Sequence, residues 1–136
     1  MSTDRPSLVF VCVKNGGQSQ MAAALARQLA GDRVRVTSAG TKPGDKLNGL
    51  SVQVLEESGA SVAGEHPKQL TEAMMLGADR VVVLGEEALL PEVPGVAVER
   101  WITDEPSLRG IEGRERMDLV LADIRRHVEA LLAELD

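Results

Sequence analysis

Residues 7–30, SLVFVCVKNGGQSQMAAALARQLA, pass directly from one structural period to another. SLVFVCV is apolar at nearly every position, so a strand built from it is covered on both faces. SQMAAALARQLA is rich in Ala and Leu, which are strong helix formers, with Ser19 as the expected N-cap and Gly31 as the stop. A doubly covered strand feeding a helix through a glycine-bearing loop is the opening of a βαβ unit, and a parallel sheet between helical layers is the architecture that buries it.

The rest of the chain repeats that alternation. Residues 33–40 (RVRVTSAG), 79–85 (DRVVVLG) and 95–101 (GVAVERW) read as three more strands. Residues 50–59 and 70–78 read as helices. A long amphipathic helix is expected from about 113 to 135, where Met117, Val120, Leu121, Ile124, Val128, Leu131, Leu132 and Leu135 recur at helical spacing. The expected order is β-α-β-α-α-β-β-α. It implies an α/β three-layer sandwich: one four-stranded parallel sheet, right-handed crossovers and helices on both faces. At 136 residues the chain is expected to form a single domain over 1–136, with a core that needs neither disulfide nor metal.

Composition narrows the function classes. A net charge of -6 leaves no electrostatic footprint for nucleic acid. One Phe, one Trp and no Tyr disfavour base-stacking surfaces and aromatic peptide grooves. No apolar run approaches the roughly 20 residues that span a bilayer, and MSTDRPS lacks a signal-peptide pattern. Cysteine usage, a single residue, fits a reducing compartment, so the cytoplasm is expected. No metal-ligand spacing occurs, and His66 and His127 read as surface or capping residues.

That one cysteine, Cys12, falls where the first strand ends, and ligands of such sheets bind at the carboxyl ends of strands. The following residues, Val13, Lys14, Asn15, Gly16, Gly17, Gln18 and Ser19, form a strand-to-helix loop whose N–H groups can converge on one anion, helped by the helix dipole. Gly16 and Gly17 permit backbone conformations closed to other residues, and Asn15 tolerates the left-handed region. The same field favours a thiolate, and Ser19 could donate a hydrogen bond to it. A nucleophile inside an oxyanion cradle is what covalent catalysis on an oxyanion requires. Taken alone, a strand-end cysteine is more often a small buried hydrophobe; the argument rests on the combination.

VFVCVKNGGQSQMAAAL resembles the active-site loop of the low-molecular-weight protein tyrosine phosphatase superfamily, whose pattern is Cys, five residues, Arg, then Ser or Thr. It is most similar to the arsenate reductase branch, through Asn15, Gly17, Ser19, Gln20, Met21 and Ala22. SAGT (38–41) and WITDEP (101–106), which resembles the acid loop of that branch, follow in the right order. The resemblance implies a phosphatase-like fold, an arsenate or phosphate oxyanion held by residues 13–19, and a thiolate attack by Cys12. It also implies a carboxylic acid that protonates the leaving oxygen. Register before Pro106 gives that place to Glu105; Asp104 is equally able.

Three departures sharpen the expectation. Gln18 stands where the superfamily carries Arg, so a charged two-point grip is lost. Lys14 either replaces that charge or is a solvated surface residue. Gly85 stands where thioredoxin-coupled relatives carry a resolving cysteine, and VVVLGEEALLPEVPG holds no thiol at all. Cys12 must then be relieved by an external thiol, with no bound cofactor. This resembles the mycothiol-dependent arsenate reductases of actinobacteria, which implies mycothiol as co-substrate and a mycoredoxin-type protein as reductant. Finally, Ser107 and Leu108 follow the acid loop where phosphotyrosine enzymes present aromatic rings. Two alternatives stay open: a low-molecular-weight phosphatase acting on a small phosphate ester, and an oxyanion-binding module weakened in catalysis by Gln18. Arg109 and Arg114 read as solvated residues, with holding the polar groups of a thiol as the alternative, and Trp101 reads as packing.

Overall fold

The computed structural model describes residues 5–103 and 105–135. The chain runs β1 (Ser7–Cys12), α1 (Gln18–Ala30), β2 (Arg35–Gly40), α2 (Gly49–Glu57), α3 (Glu72–Leu76), β3 (Arg80–Leu84), β4 (Val98–Trp101) and α4 (Gly113–Leu135). This is the order expected from the sequence. Short 3-10 turns at Gly31–Arg33 and Pro106–Arg109 were not anticipated. The first of them delays β2 by two residues. Strand β4 starts at Val98 rather than Gly95, whose φ of +83° is incompatible with an extended strand. Helix α3 is shorter than expected because Thr71 caps it, accepting from the Met74 N–H.

The four strands form one parallel sheet in the order β2-β1-β3-β4. Strand β1 is central, with Phe10 paired to Ser38 on one side and to Val82 on the other. From β1 the chain goes first to one neighbour and then crosses to the opposite one. The switch point therefore lies at the carboxyl end of β1, where Cys12 is the last residue.

Alternation along β1 divides the core in two. Leu8 and Phe10 join a large cluster with α1, α2 and α4, including Met21, Leu25, Leu55, Ile124 and Leu131. Val9 and Val11 join a smaller one with Val81, Ala39 and Met75 of α3. The sheet is thus covered on both faces, heavily on one and by a five-residue helix and loop residues on the other. Trp101 packs at the end of β4, its ring centroid 5.8 Å from Phe10 and 5.1 Å from His127. No helix among the described residues is long and apolar enough to cross a membrane.

Candidate active site

The side chains nearest Cys12 are neutral dipoles. Ser19 Oγ lies 2.9 Å from Cys12 Sγ, and the Asn15 N–H donates to the same sulfur at 3.2 Å. A thiolate can only accept, so in that state both groups donate to it. Asn15 Nδ2 donates to Ser19 Oγ at 2.8 Å, which leaves the hydroxyl proton free to face the sulfur. Asn15 is itself fixed: the Lys68 N–H donates to its Oδ1 at 3.1 Å, Gln20 Nε2 donates to its carbonyl, and it is fully buried. Its φ of +55° lies in the left-handed region that Asn tolerates better than most residues.

These contacts correct one expectation. Ser19 is not the N-cap of α1; the helix begins at Gln18, with Gly17 as N-cap and no side-chain cap. The Ser19 hydroxyl is committed to the sulfur and to Asn15. An uncapped helix start leaves backbone donors unpaired. The N–H groups of Lys14, Gly16, Gly17, Gln18 and Ser19 make no hydrogen bond among the described residues.

The carbonyls of the loop are occupied on its other side. Thr41, Lys42, Gly44 and Asn48 donate their N–H groups to the carbonyls of Cys12, Val13, Lys14 and Gly16 at 2.7–3.1 Å. Residues 41–48 thus zip along the loop and keep its acceptors away from the unpaired donors. A Cβ at Gly40 would lie 2.6 Å from the Val13 carbonyl and 3.1 Å from Asn15, so only glycine lets β2 end against the loop. That is the physical content of SAGT.

Charge enters from outside this core. Lys14 is exposed, which leaves the loop without a buried cation. Gln18 turns to the acid loop, its Oε1 accepting from Thr103 Oγ1 at 2.9 Å. Glu105 accepts from Arg116 through both oxygens, at 2.9 and 3.2 Å, and from the N–H and hydroxyl of Ser107. The Arg116 guanidinium, with help from Ser107, lowers the Glu105 pKa to about 2. An ionised, tethered carboxylate donates no proton at neutral pH. Glu105 is therefore held as the partner of Arg116 and as the cap of the 106–109 turn. Asp104, the other candidate, lies outside the described residues. A cleft of about 660 Å³ flanks the loop at Gly16, Gly17 and Gln18, and receives Lys14, Lys46 and Arg116. Cys12 is not among the residues that line it and is half-buried. Among the described residues no group of three or more His, Cys, Asp or Glu is placed to hold a metal.

Comparison with known proteins follows the same lines. Residues 7–136 match the low molecular weight phosphotyrosine protein phosphatase family. The chain belongs to that family. Within it, the chain is 31% identical over 133 residues to a protein of Halobacterium salinarum named a putative arsenate reductase, covering 93% of this chain and 91% of that one. The fold superposes with a TM-score of 0.83 on a thioredoxin-dependent arsenate reductase of Corynebacterium glutamicum, at 28% identity and over 99% of this chain. The chain spans 64% of the length of that Corynebacterium protein. A structure described as an arsenate reductase in the phosphate binding state gives a TM-score of 0.82 at 25% identity, over 96% of this chain and 99% of that one.

Membership of the family makes Gln18 and the residues around it the informative part of the site. Sequence reasoning located Cys12, Asn15 and Ser19 but missed Thr103, which holds Gln18, and Arg116, which holds Glu105. It also missed the backbone N–H of Lys68, which fixes Asn15. An N–H carries no residue signature, and Arg116 looks in sequence like any arginine opening a helix. Arg114, read first as a solvated residue, is half exposed on α4 and pairs with Glu57 and Asp118.

Proposed function

We propose that the chain is an arsenate reductase in which Cys12 passes arsenic to an external small thiol. What supports this most is a single constellation. The one thiol of the chain accepts from the Asn15 N–H and lies 2.9 Å from the Ser19 hydroxyl, at the mouth of a loop with five N–H groups that find no partner among the described residues, and the sequence carries no second thiol to resolve it. The names of the relatives point to the same oxyanion.

In this scheme the N–H groups of Lys14, Gly16, Gly17, Gln18 and Ser19 hold three oxygens of arsenate. The Cys12 thiolate attacks arsenic; an S–As bond forms, an As–O bond breaks, and the oxygen leaves as water once protonated. Asp104 is the proposed proton donor, since the Glu105 carboxylate is engaged by Arg116. The external thiolate then takes the arsenic, and Cys12 returns as thiolate. A second thiol attacks the thiol sulfur of that adduct, releasing arsenite. The two thiols end as a disulfide, and As(V) receives their two electrons. Mycothiol is the proposed first thiol and a mycoredoxin-type protein the second, in the cytoplasm. The scheme requires no resident metal or cofactor. A phosphatase acting on tyrosyl or other aryl esters is the weaker reading, because Tyr is absent from the chain and Ser107 and Leu108 border the acid loop.

The test is arsenite release from arsenate with purified protein, supplied with mycothiol and a mycoredoxin, or with thioredoxin. Release that needs the small thiol and vanishes in Cys12→Ser is expected. Release with thioredoxin alone, or persistence in Cys12→Ser, would remove the proposal.

A further inference from the structure

We infer that Arg116, at the start of α4, is the oxyanion-binding arginine of this site, supplying from outside the loop the charge that Gln18 lacks. The inference rests on the oxyanion chemistry proposed above and adds a residue that the loop motif does not contain.

Three observations carry it. First, the loop offers an oxyanion N–H groups and the amide of Gln18 but no guanidinium, and a tetrahedral dianion held by neutral dipoles alone is under-compensated. Second, Arg116 lines the same cleft as Gly16, Gly17 and Gln18, and so faces the stretch of the loop that carries Gln18 in place of arginine. Third, its guanidinium is already arranged as a fork on two oxygens, those of Glu105, at 2.9 and 3.2 Å. Two oxygens of a carboxylate and two oxygens of arsenate present the same target to that fork. The side chain is 29% exposed, so it is partly desolvated without being locked into the core.

Lys14 and Lys46 reach the same cleft, but both are exposed and each brings a point charge rather than a planar fork. Arg116 is the cation whose position is set by packing and by a partner. That partner belongs to the same loop as Thr103, which bonds Gln18. The loop that grips Gln18 therefore also grips Arg116, and Glu105 competes with the substrate for the guanidinium.

This competition gives the inference its distinctive signature. Removing the carboxylate should strengthen oxyanion binding, whereas removing the arginine should weaken it. The experiment is calorimetric binding of inorganic phosphate and of arsenate to the intact protein and to four variants: Arg116→Gln, Arg116→Lys, Glu105→Gln and the double variant Gln18→Arg/Arg116→Gln. Arg116→Gln should raise the Kd about 10- to 100-fold, the loss of a charge-assisted pair of hydrogen bonds. Arg116→Lys should fall between, Glu105→Gln should bind several-fold tighter than wild type, and the double variant should regain most of the lost affinity. A folded Arg116→Gln with wild-type affinity would overturn the inference. If Arg116→Gln does not fold, Glu105→Gln decides: tighter binding upholds the inference, and unchanged or weaker binding overturns it. Wild-type protein that binds neither oxyanion would overturn the proposed function and this inference together. Wild-type binding that is indifferent to Arg116 and Glu105 would overturn this inference alone.

Discussion

Two loops meet at this site, and they are built on opposite principles. The loop from Val13 to Gln18 sits among neutral dipoles: Asn15 and Ser19 are fully buried, and carbonyl after carbonyl is satisfied by residues 41–48. The loop from Thr103 to Arg109 is held by an ion pair whose partners are both about one-third exposed, with Leu108 86% exposed beside it. The difference teaches where precision and charge come from. Neutral hydrogen bonds in a low-dielectric interior fix the nucleophile without a desolvated charge to compensate, which is costly to bury. Charge is kept at the rim, where water reduces its cost and where it can change partners.

The strongest way to break the comparison is at Asn15. Asn15→Ala removes the donor to Ser19 and the acceptor for the Lys68 N–H, and places Ala at φ +55°. A loss of about 3 kcal/mol in unfolding free energy is expected by denaturant titration, with activity lost as well. Gly40→Ala comes next. Its Cβ meets backbone, not a flexible side chain, so the loop itself must shift. About 2 kcal/mol of stability and roughly 100-fold in turnover should be lost, whereas a rim substitution such as Leu108→Ala should leave both near wild type. Ser19→Ala keeps the fold but removes one of the two donors to the sulfur. The rate of Cys12 alkylation at neutral pH, read with iodoacetamide, should fall several-fold while the melting temperature moves little.

The acid loop yields the smallest effect, and its sign follows from linkage. The Glu105 pKa is lowered from 4.5 to about 2 in the folded protein. A depressed carboxylate stabilises the fold above its unfolded value, and that contribution drains away as pH falls from about 4.5 toward about 2. Glu105→Gln should therefore flatten the melting temperature profile in that window and leave its shape unchanged near neutrality. The rim position of the pair keeps the effect modest.

What could be read from the sequence divides along the same line. The strands, the helices and Cys12 at a strand end follow from apolar periodicity and from one Gly-rich turn. Those are local signals, and the parallel sheet then follows from connection rules. Asn15 and Ser19 were legible because their types suit a left-handed turn and a thiolate donor. Ser19 was misread only as the N-cap of α1, since a side chain that could cap a helix is engaged by the sulfur and by Asn15. The assignment of Glu105 used register before Pro106, which carries no sign of its partner. Its protonation state is set instead by Arg116, eleven residues further on and visible only after α4 folds back. Thr103 escaped notice for the same reason, since it meets Gln18 across 85 residues of sequence. Pairings of that kind depend on three-dimensional closure and leave no spacing to detect.

The measurement that bears most directly on the account is alkylation of Cys12 with and without oxyanion, followed by intact mass. In the proposed scheme the Cys12 sulfur and the N–H groups of the 13–19 loop serve one ligand. Iodoacetamide should modify Cys12 rapidly at neutral pH, and millimolar arsenate or phosphate should slow the reaction in a saturable way. Modification at the same rate in the presence and absence of both oxyanions would contradict the account, because nucleophile and cradle would then not share a site.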